Sequence, residues 1–405
     1  MSATDRVVVA SRIYALVQQY FAHWDGVPRL EVEAAYREYI DKVVQARDRK
    51  EFALASMRFI AKLRNGHTQF LDNQMDGRPL KFRLIQVRDS WVVVNSQDSR
   101  LARGAVVKSI NGIPVGEFVA ERAQYVAASN DRLARAHVFS YPGLFPERIS
   151  VGLQNGDVVV VDRAVGGNSP QTPTTAVSQG RWLRDGHVAY IRVPAFGDPA
   201  YERTAIELVR QFTSAPALVI DVRGNGGGMT PLQLIGALMN RPWRTWQETT
   251  PQRIALSASR GSRQQSPSSG AYAGRLFLLV DRFCGSACED FVMPFKDTGR
   301  AVVVGETTQG SSGNPYREDL GDGIRVAIGA VRYAFPDGTA FEGVGIAPDI
   351  LVERSVADLV DGRDTILERA MELANSVAGQ VEAIAQSKRS GGHSVPSIKT
   401  SFTQT

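Results

Sequence analysis

The sequence predicts an α/β protein built on a largely parallel sheet, preceded by a helical segment and a small β-rich module. Three observations carry this. Apolar residues recur at helical spacing over the first 65 positions, alternate with period two from about Lys81 to Arg163, and from His187 onward fall in short apolar runs separated by helical stretches.

In the helical part, Ile13, Leu16, Val17, Tyr20, Phe21 and Trp24 share one face, as do Val32, Tyr36, Tyr39, Ile40 and Val43, and then Ala53, Met57, Ile60 and Ala61. Three such helices bury their stripes against one another. The pattern stops at Arg64-Asn65-Gly66-His67-Thr68, where Asn-Gly breaks it. The runs KFRLIQV, WVVVNS and AVVKSI, with turns at Asp89-Ser90 and Asn111-Gly112, predict strands and hairpins; a helix-like stretch near 116–138 and a hairpin around Asn155-Gly156 follow. Residues 164–180, rich in Gly, Ser, Pro and Thr, read as a linker.

Beyond it come the strand HVAYIRV (187–193), a helix carrying Ala205, Ile206, Leu208, Val209 and Phe212, and the strand LVIDV (218–222). A Gly-rich turn leads to a helix over 231–240, with Thr230 as N-cap and Pro231 at its first position, and then to the strand LFLLV (276–280), a helix near 287–297 and the strand AVVVG. Such alternation argues for parallel strands with helices on both faces. The chain divides into a helical domain (1–75), a β module (76–165), a linker (166–180), an α/β domain (181–375) and a flexible tail (376–405).

Composition narrows the function classes. With 43% hydrophobic and 22% charged residues, the 405-residue chain is neither disordered nor collagenous. Its 47 Lys and Arg against 42 Asp and Glu leave +5, too dilute for a nucleic-acid footprint. No run reaches the ~18–20 apolar residues of a membrane span. The first residues lack a basic stretch leading into an apolar one, so a cytoplasmic location is expected. Cys284 and Cys288 cannot form a disulfide framework and read as small buried residues. No second histidine stands at ligand spacing from another, so no metal is expected, and the glycines of 224–228 fit neither a dinucleotide nor a phosphate-loop signature, so no cofactor is expected either.

Three segments carry chemistry. LVIDVRGNGGGM (218–229) ends a buried strand in glycines whose N–H groups form a concavity for an anion or oxyanion, though Asp221 and Arg223 equally read as a structural ion pair. In VDRFCGSACEDF, Ser286 follows a strand and opens a helix, placing its hydroxyl at the positive end of the dipole; a plain N-cap is the competing reading. His67, alone among five histidines, sits where a structured segment breaks at a glycine.

Together these segments resemble the serine peptidase family of C-terminal processing (tail-specific) proteases and the tricorn core protease. Gly66-His67-Thr68, the Asp221 to Gly228 segment, Ser286-Ala287-Cys288-Glu289, Gly305-Glu306-Thr307-Thr308, FEGVGIAPDI (341–350) and the closing Gly362 to Ala370 segment match its motifs in order. The tail-specific branch places a lysine base where this chain has Ser311, and no lysine lies between Lys296 and Lys388. The resemblance therefore points to the tricorn-like branch, implying Ser286 as nucleophile, His67 as base, Glu342 as the group orienting it, and Ala287, Gly227 and Gly228 as the oxyanion hole. A serine precedes the histidine in tricorn-like sites; Gly66 stands there. The family implies a crotonase/protease-subunit-like core, and RGAVVKSINGIPV (103–115) is similar to part of a PDZ module. The expected function is a serine endopeptidase acting on protein or peptide substrates, without metal or cofactor, with no nucleic-acid partner. The alternative is a catalytically silent binding protein of the same architecture, holding a peptide or a lipophilic ligand.

Overall fold

The computed structural model describes residues 1–75, 77–164, 177–183, 187–251 and 260–376. Most of the expected linker and nearly all of the expected tail lie outside these residues.

The N-terminal region is three helices, Ala3–Tyr20, Val32–Gln45 and Arg49–Ala61. Ser2 and Asp5 cap the first reciprocally and Asp48 accepts from Glu51 N to start the third, satisfying donors that the helix itself leaves open. Ile13, Val17, Tyr39, Val43, Phe52 and Ile60 are buried in one cluster that continues into Phe70, Ile324, Val326 and Ile328. Those last residues belong to a three-stranded antiparallel sheet in which Gln69–Asp72 pairs with Ile324–Ile328 and that strand with Tyr316–Gly321. This sheet ties the helical region to the C-terminal part of the chain. Alternation splits its residues between two faces, one on the helices and one toward a cleft.

The β module runs antiparallel in the order 82–87, 90–96, 106–110, 148–153, 158–162. Its helix-like stretch is two helices, Val115–Ala123 and Asp131–His137. The break arises because Asn130 is extended and accepts from Leu133 N, starting a new helix rather than continuing the first.

The main sheet has six strands in the order 350–351, 302–305, 275–280, 217–221, 188–192, 179–183, parallel except for the last. The outermost strand begins within the stretch read as linker. Its residues Gln179–Leu183 are almost all exposed, so no apolar alternation marks them. Leu218, Ile220, Leu278 and Val280 bury one face against Phe291 and Phe295, while Val219, Phe277 and Leu279 bury the other against Ile366, Ala370 and Ala374 of the closing helix Thr365–Asn375. The helix after the glycines spans Leu232–Leu238 with Pro231 at its N-cap position; Thr230, expected there, donates instead to Asp290 Oδ2. Among the described residues no helix is long and apolar enough to cross a membrane.

Candidate active site

The C-terminal ends of strands Ala217–Asp221 and Arg275–Val280 open into the Gly-rich loop and the Ser286 turn. Asp221 is buried and does not reach the cleft chemistry: Arg223 clamps it through Nε and Nη2 and also holds Asp364, the residue capping the closing helix. The pair is structural, and it fixes the root of the glycine loop.

Ser286 is not a plain cap. Its φ of 54° and ψ of −128° are rare for a residue with a side chain, and its hydroxyl makes no capping bond to the helix Ala287–Thr298. Backbone bonds enforce this shape from two sides: Gly285 N donates to Asn225 O and Ser286 N to Ser311 O. Cys284 and Cys288, expected as separate buried residues, are instead bonded to each other and close a small ring over the nucleophile turn. Four residues apart, they lie 5.5 Å Cα to Cα, within disulfide reach because the chain turns into the helix between them.

His67 comes from the break after the third helix, and Asn65 sets its position. The fully buried Asn65 accepts through Oδ1 from the His67 amide and from Thr68 Oγ1, an Asx turn that aims the imidazole away from the helices. His67 Nε2 lies 3.0 Å from Ser286 Oγ, although 219 residues separate them. Its other nitrogen, Nδ1, lies 3.2 Å from Ser311 Oγ. With Nε2 free to accept the Ser286 proton, Nδ1–H donates to Ser311.

Glu342, expected on His67, is one layer away. Its carboxylate accepts from Asn65 Nδ2, Ser129 Oγ and Ser312 N, and lies 3.9 Å from Nδ1 of buried His23. The place on Nδ1 is taken by Ser311, and Glu342 is linked to the His67 segment through Asn65 and to the Ser311 loop through the Ser312 amide. A Cβ on Gly66 would come within 2.6 Å of Ser311 Oγ, so the serine absent before His67 is replaced in space by one from the opposite wall. Sequence reasoning placed Ser311 only as a missing lysine; its alignment with the position of a base was the available signal.

Glu289, one turn into the helix, is fully buried and accepts from Thr308 Oγ1, Gly310 N and Ser311 N, which fixes the loop presenting Ser311. Burial pushes the carboxyls of Glu289 and Glu342 up, to about 8 and about 7, against the hydrogen bonds they accept. Burial, aided by the Arg317 guanidinium, holds the His67 imidazole down to about 4. A neutral imidazole beside a serine hydroxyl is the state a general base requires.

Of the three expected oxyanion donors, Ala287 opens the helix beside Ser286 and its N–H has no acceptor among the described residues. Gly227 does not serve as a donor, since its N–H bonds Asn225 Oδ1 at 2.9 Å. It supplies space: a Cβ there would lie 2.7 Å from Ser286 Cβ. Gly228 sits beside it, packed so closely on Phe196 and Gly197 that a Cβ would meet their backbone at 2.3 Å. Ser286, His67 and Ser311 line a cavity of about 490 Å³ together with Gly226 and Gln309. Among the described residues no group of three His, Cys, Asp or Glu is placed to hold a metal.

Comparison with known proteins gives the same direction. Residues 187–352 match Peptidase family S41. The chain is 30% identical over 193 residues to the carboxyl-terminal-processing protease of Synechocystis, covering 46% of this chain and 43% of that protein. It is 26% identical over 192 residues to the tricorn protease of Thermoplasma acidophilum, covering 46% and 16%. Mature CPAF complexed with lactacystin shares the fold at a TM-score of 0.75 and 14% identity, over 95% of this chain and 99% of that one. The chain spans between 16% and 46% of the length of the curated relatives it matches. The resemblance carried by the ordered motifs is matched by these comparisons: residues 187–352 are similar to peptidase family S41, and the chain is similar to the tricorn and carboxyl-terminal-processing proteases over less than half of its length.

Proposed function

We propose that the chain is a serine endopeptidase that cleaves protein or peptide substrates through an acyl-enzyme on Ser286. The observation that carries this reading is the 3.0 Å approach of His67 Nε2 to Ser286 Oγ, with Nδ1 engaged by Ser311. A serine hydroxyl becomes nucleophilic when a neighbouring imidazole takes its proton. In this reading Ser286 Oγ attacks the scissile carbonyl as its proton passes to His67 Nε2. The imidazolium is stabilised by Ser311, with Glu342 supporting the assembly from behind. The tetrahedral oxygen, carrying the negative charge, is met by the Ala287 N–H and an amide of the glycine loop, Gly228 being the remaining expected donor. His67 then gives its proton to the leaving amine, and water repeats the sequence on the ester, releasing the acid and restoring Ser286.

The core fits a crotonase/protease-subunit-like architecture, and we read the β module as PDZ-like and as one wall of the substrate cleft. A Cys284–Cys288 bond persists in an oxidising setting, so we place the protein in such a compartment rather than in the reducing cytoplasm expected from its first residues.

A fluorophosphonate probe tests the assignment. The adduct is expected on Ser286, and His67→Ala is expected to abolish labelling while leaving the far-ultraviolet circular dichroism unchanged. Adduct formation elsewhere, or labelling that survives loss of His67, rejects the pair.

A further inference from the structure

The cleft around Ser286 opens, past Leu133, His137, Gly226 and Gln309, into a second cavity of about 1000 Å³ between the β module and the main sheet. Among the described residues its lining contains seven arginines and two carboxylates, Asp221 and Asp281. Four of the arginines are matched by four carboxylates. Arg192 and Arg223 share Asp221, with Asp364 also on Arg223, and Arg282 and Arg354 share Glu306, with Asp281 3.9 Å from Arg354. The other three, Arg83, Arg103 and Arg132, have no carboxylate partner among the described residues. Arg83 sits over the Phe283 ring at 5.6 Å, and Arg132 donates only to the carbonyls of Thr307 and Thr308. All three are exposed.

Three guanidinium groups lining one groove repel one another, and among the described residues no carboxylate is bonded to any of them. Low-dielectric walls concentrate their field, and a groove of this kind draws in a ligand of opposite sign. At the other end of the site the lining holds two arginines, Arg317 and Arg325, and two carboxylates, Glu318 and Asp319, so the cationic excess belongs to the side where the β module meets the core. The groove adjoins the cavity that holds Ser286 and shares Leu133, His137, Gly226 and Gln309 with it, so a peptide presented to Ser286 would extend its adjoining segment into the groove.

We infer that this groove selects substrates carrying an acidic segment on one side of the scissile bond, with Arg83, Arg103 and Arg132 as the residues that read it. The inference rests on the peptidase reading, and it names the substrate class: a peptide whose side-chain carboxylates replace the missing partners of these arginines.

Binding to the full-length Ser286→Ala protein tests it apart from catalysis. Fluorescein-labelled peptides with both termini blocked, identical except for Glu, Gln or Lys at the flanking positions, are compared by anisotropy. The Glu peptide is expected to bind about tenfold or more tighter than the Gln peptide, with the advantage collapsing toward ~1 M salt, where the Debye length is about 3 Å. The exposed pair Arg83→Gln/Arg103→Gln is expected to erase most of the preference, and Arg83→Glu/Arg103→Glu to turn it toward the Lys peptide. Equal binding of Glu and Gln peptides, a preference unmoved by either double variant, or tighter binding of a single-stranded oligonucleotide than of the Glu peptide overturns the inference. If Ser286→Ala prefers the Glu peptide but the unaltered protein cleaves none, the groove stands as a site for acidic peptides and the peptidase reading falls. Cleavage of Gln and Glu peptides at equal kcat/KM has the reverse meaning.

Discussion

Replacing Ser311 by alanine separates two accounts of how His67 is held. In the structure Ser311 Oγ lies 3.2 Å from Nδ1, while Glu342 is bonded to Asn65, Ser129 and Ser312. A neutral hydrogen bond contributes about 0.5–1.5 kcal/mol and one to a charged group about 1.5–3 kcal/mol. The bond from Nδ1–H passes from the first kind to the second as the imidazole takes up the Ser286 proton, so the transition state gains roughly 1–1.5 kcal/mol over the ground state. That difference corresponds to a loss of roughly 5- to 13-fold in kcat, with KM little changed, because the interaction strengthens only in the transition state. Glu342→Gln is expected to cost less than about tenfold in rate, since it touches neither ring nitrogen of His67. It lowers the melting temperature instead, because one of its three donors loses an acceptor. Steady-state hydrolysis of one fluorogenic peptide by both variants, with thermal melts alongside, is the assay. A fully active Ser311→Ala beside a Glu342→Gln reduced on the order of 10⁴-fold, the loss seen when a carboxylate bonded directly to a catalytic histidine is neutralised, would refute the reasoning.

Two further outcomes follow from the same geometry. Because His67 must be unprotonated to act and its pKa is held down to about 4, the acid limb of kcat/KM is expected near that value rather than at 6.5; a limb at the ordinary imidazole pKa shows that His67 is not the titrating base. Stability moves in the same window: below 6.5 the unfolded imidazole binds a proton that the folded one refuses until about 4, so this contribution is lost as pH falls, while the raised Glu289 and Glu342 make the opposite contribution, lost as pH rises toward about 8 and 7. Reduction of the Cys284–Cys288 bond is expected to slow fluorophosphonate labelling, and reoxidation to restore it, because the rare backbone shape of Ser286 costs on the order of 1–3 kcal/mol and loses one of its constraints. Labelling that proceeds at one rate in both redox states removes the ring from any role in the site.

The parallel core was legible because its strands are continuous apolar runs and its helices amphipathic, patterns that each segment carries within itself. The small sheet that joins Gln69–Asp72 to Ile324–Ile328 was not, since pairing between segments so far apart depends on partners rather than on local periodicity. Ser286 and His67 could be read from their positions at element boundaries and from ordered motifs. The contact of Ser311 with Nδ1 could not, because it depends on a side chain crossing into the space left by Gly66. Net charge also averages out local detail: +5 over the chain conceals a groove where three arginines have no carboxylate partner among the described residues.

The strand that docks the helical region onto the core also governs when His67 and Ser286 can meet during synthesis. His67 is made early, yet the strand that fixes its segment, Ile324–Ile328, and Ser286 itself are made late. At about 5–20 residues per second, 219 residues of separation amount to roughly 10–45 s in which a growing chain has a histidine and no serine. Even once Ser286 emerges, residues 311 and 324–328 have still to follow. On the peptidase reading, the Ser286–His67 pair therefore cannot assemble ahead of a nearly complete fold, and the growing chain would carry no complete site during translation.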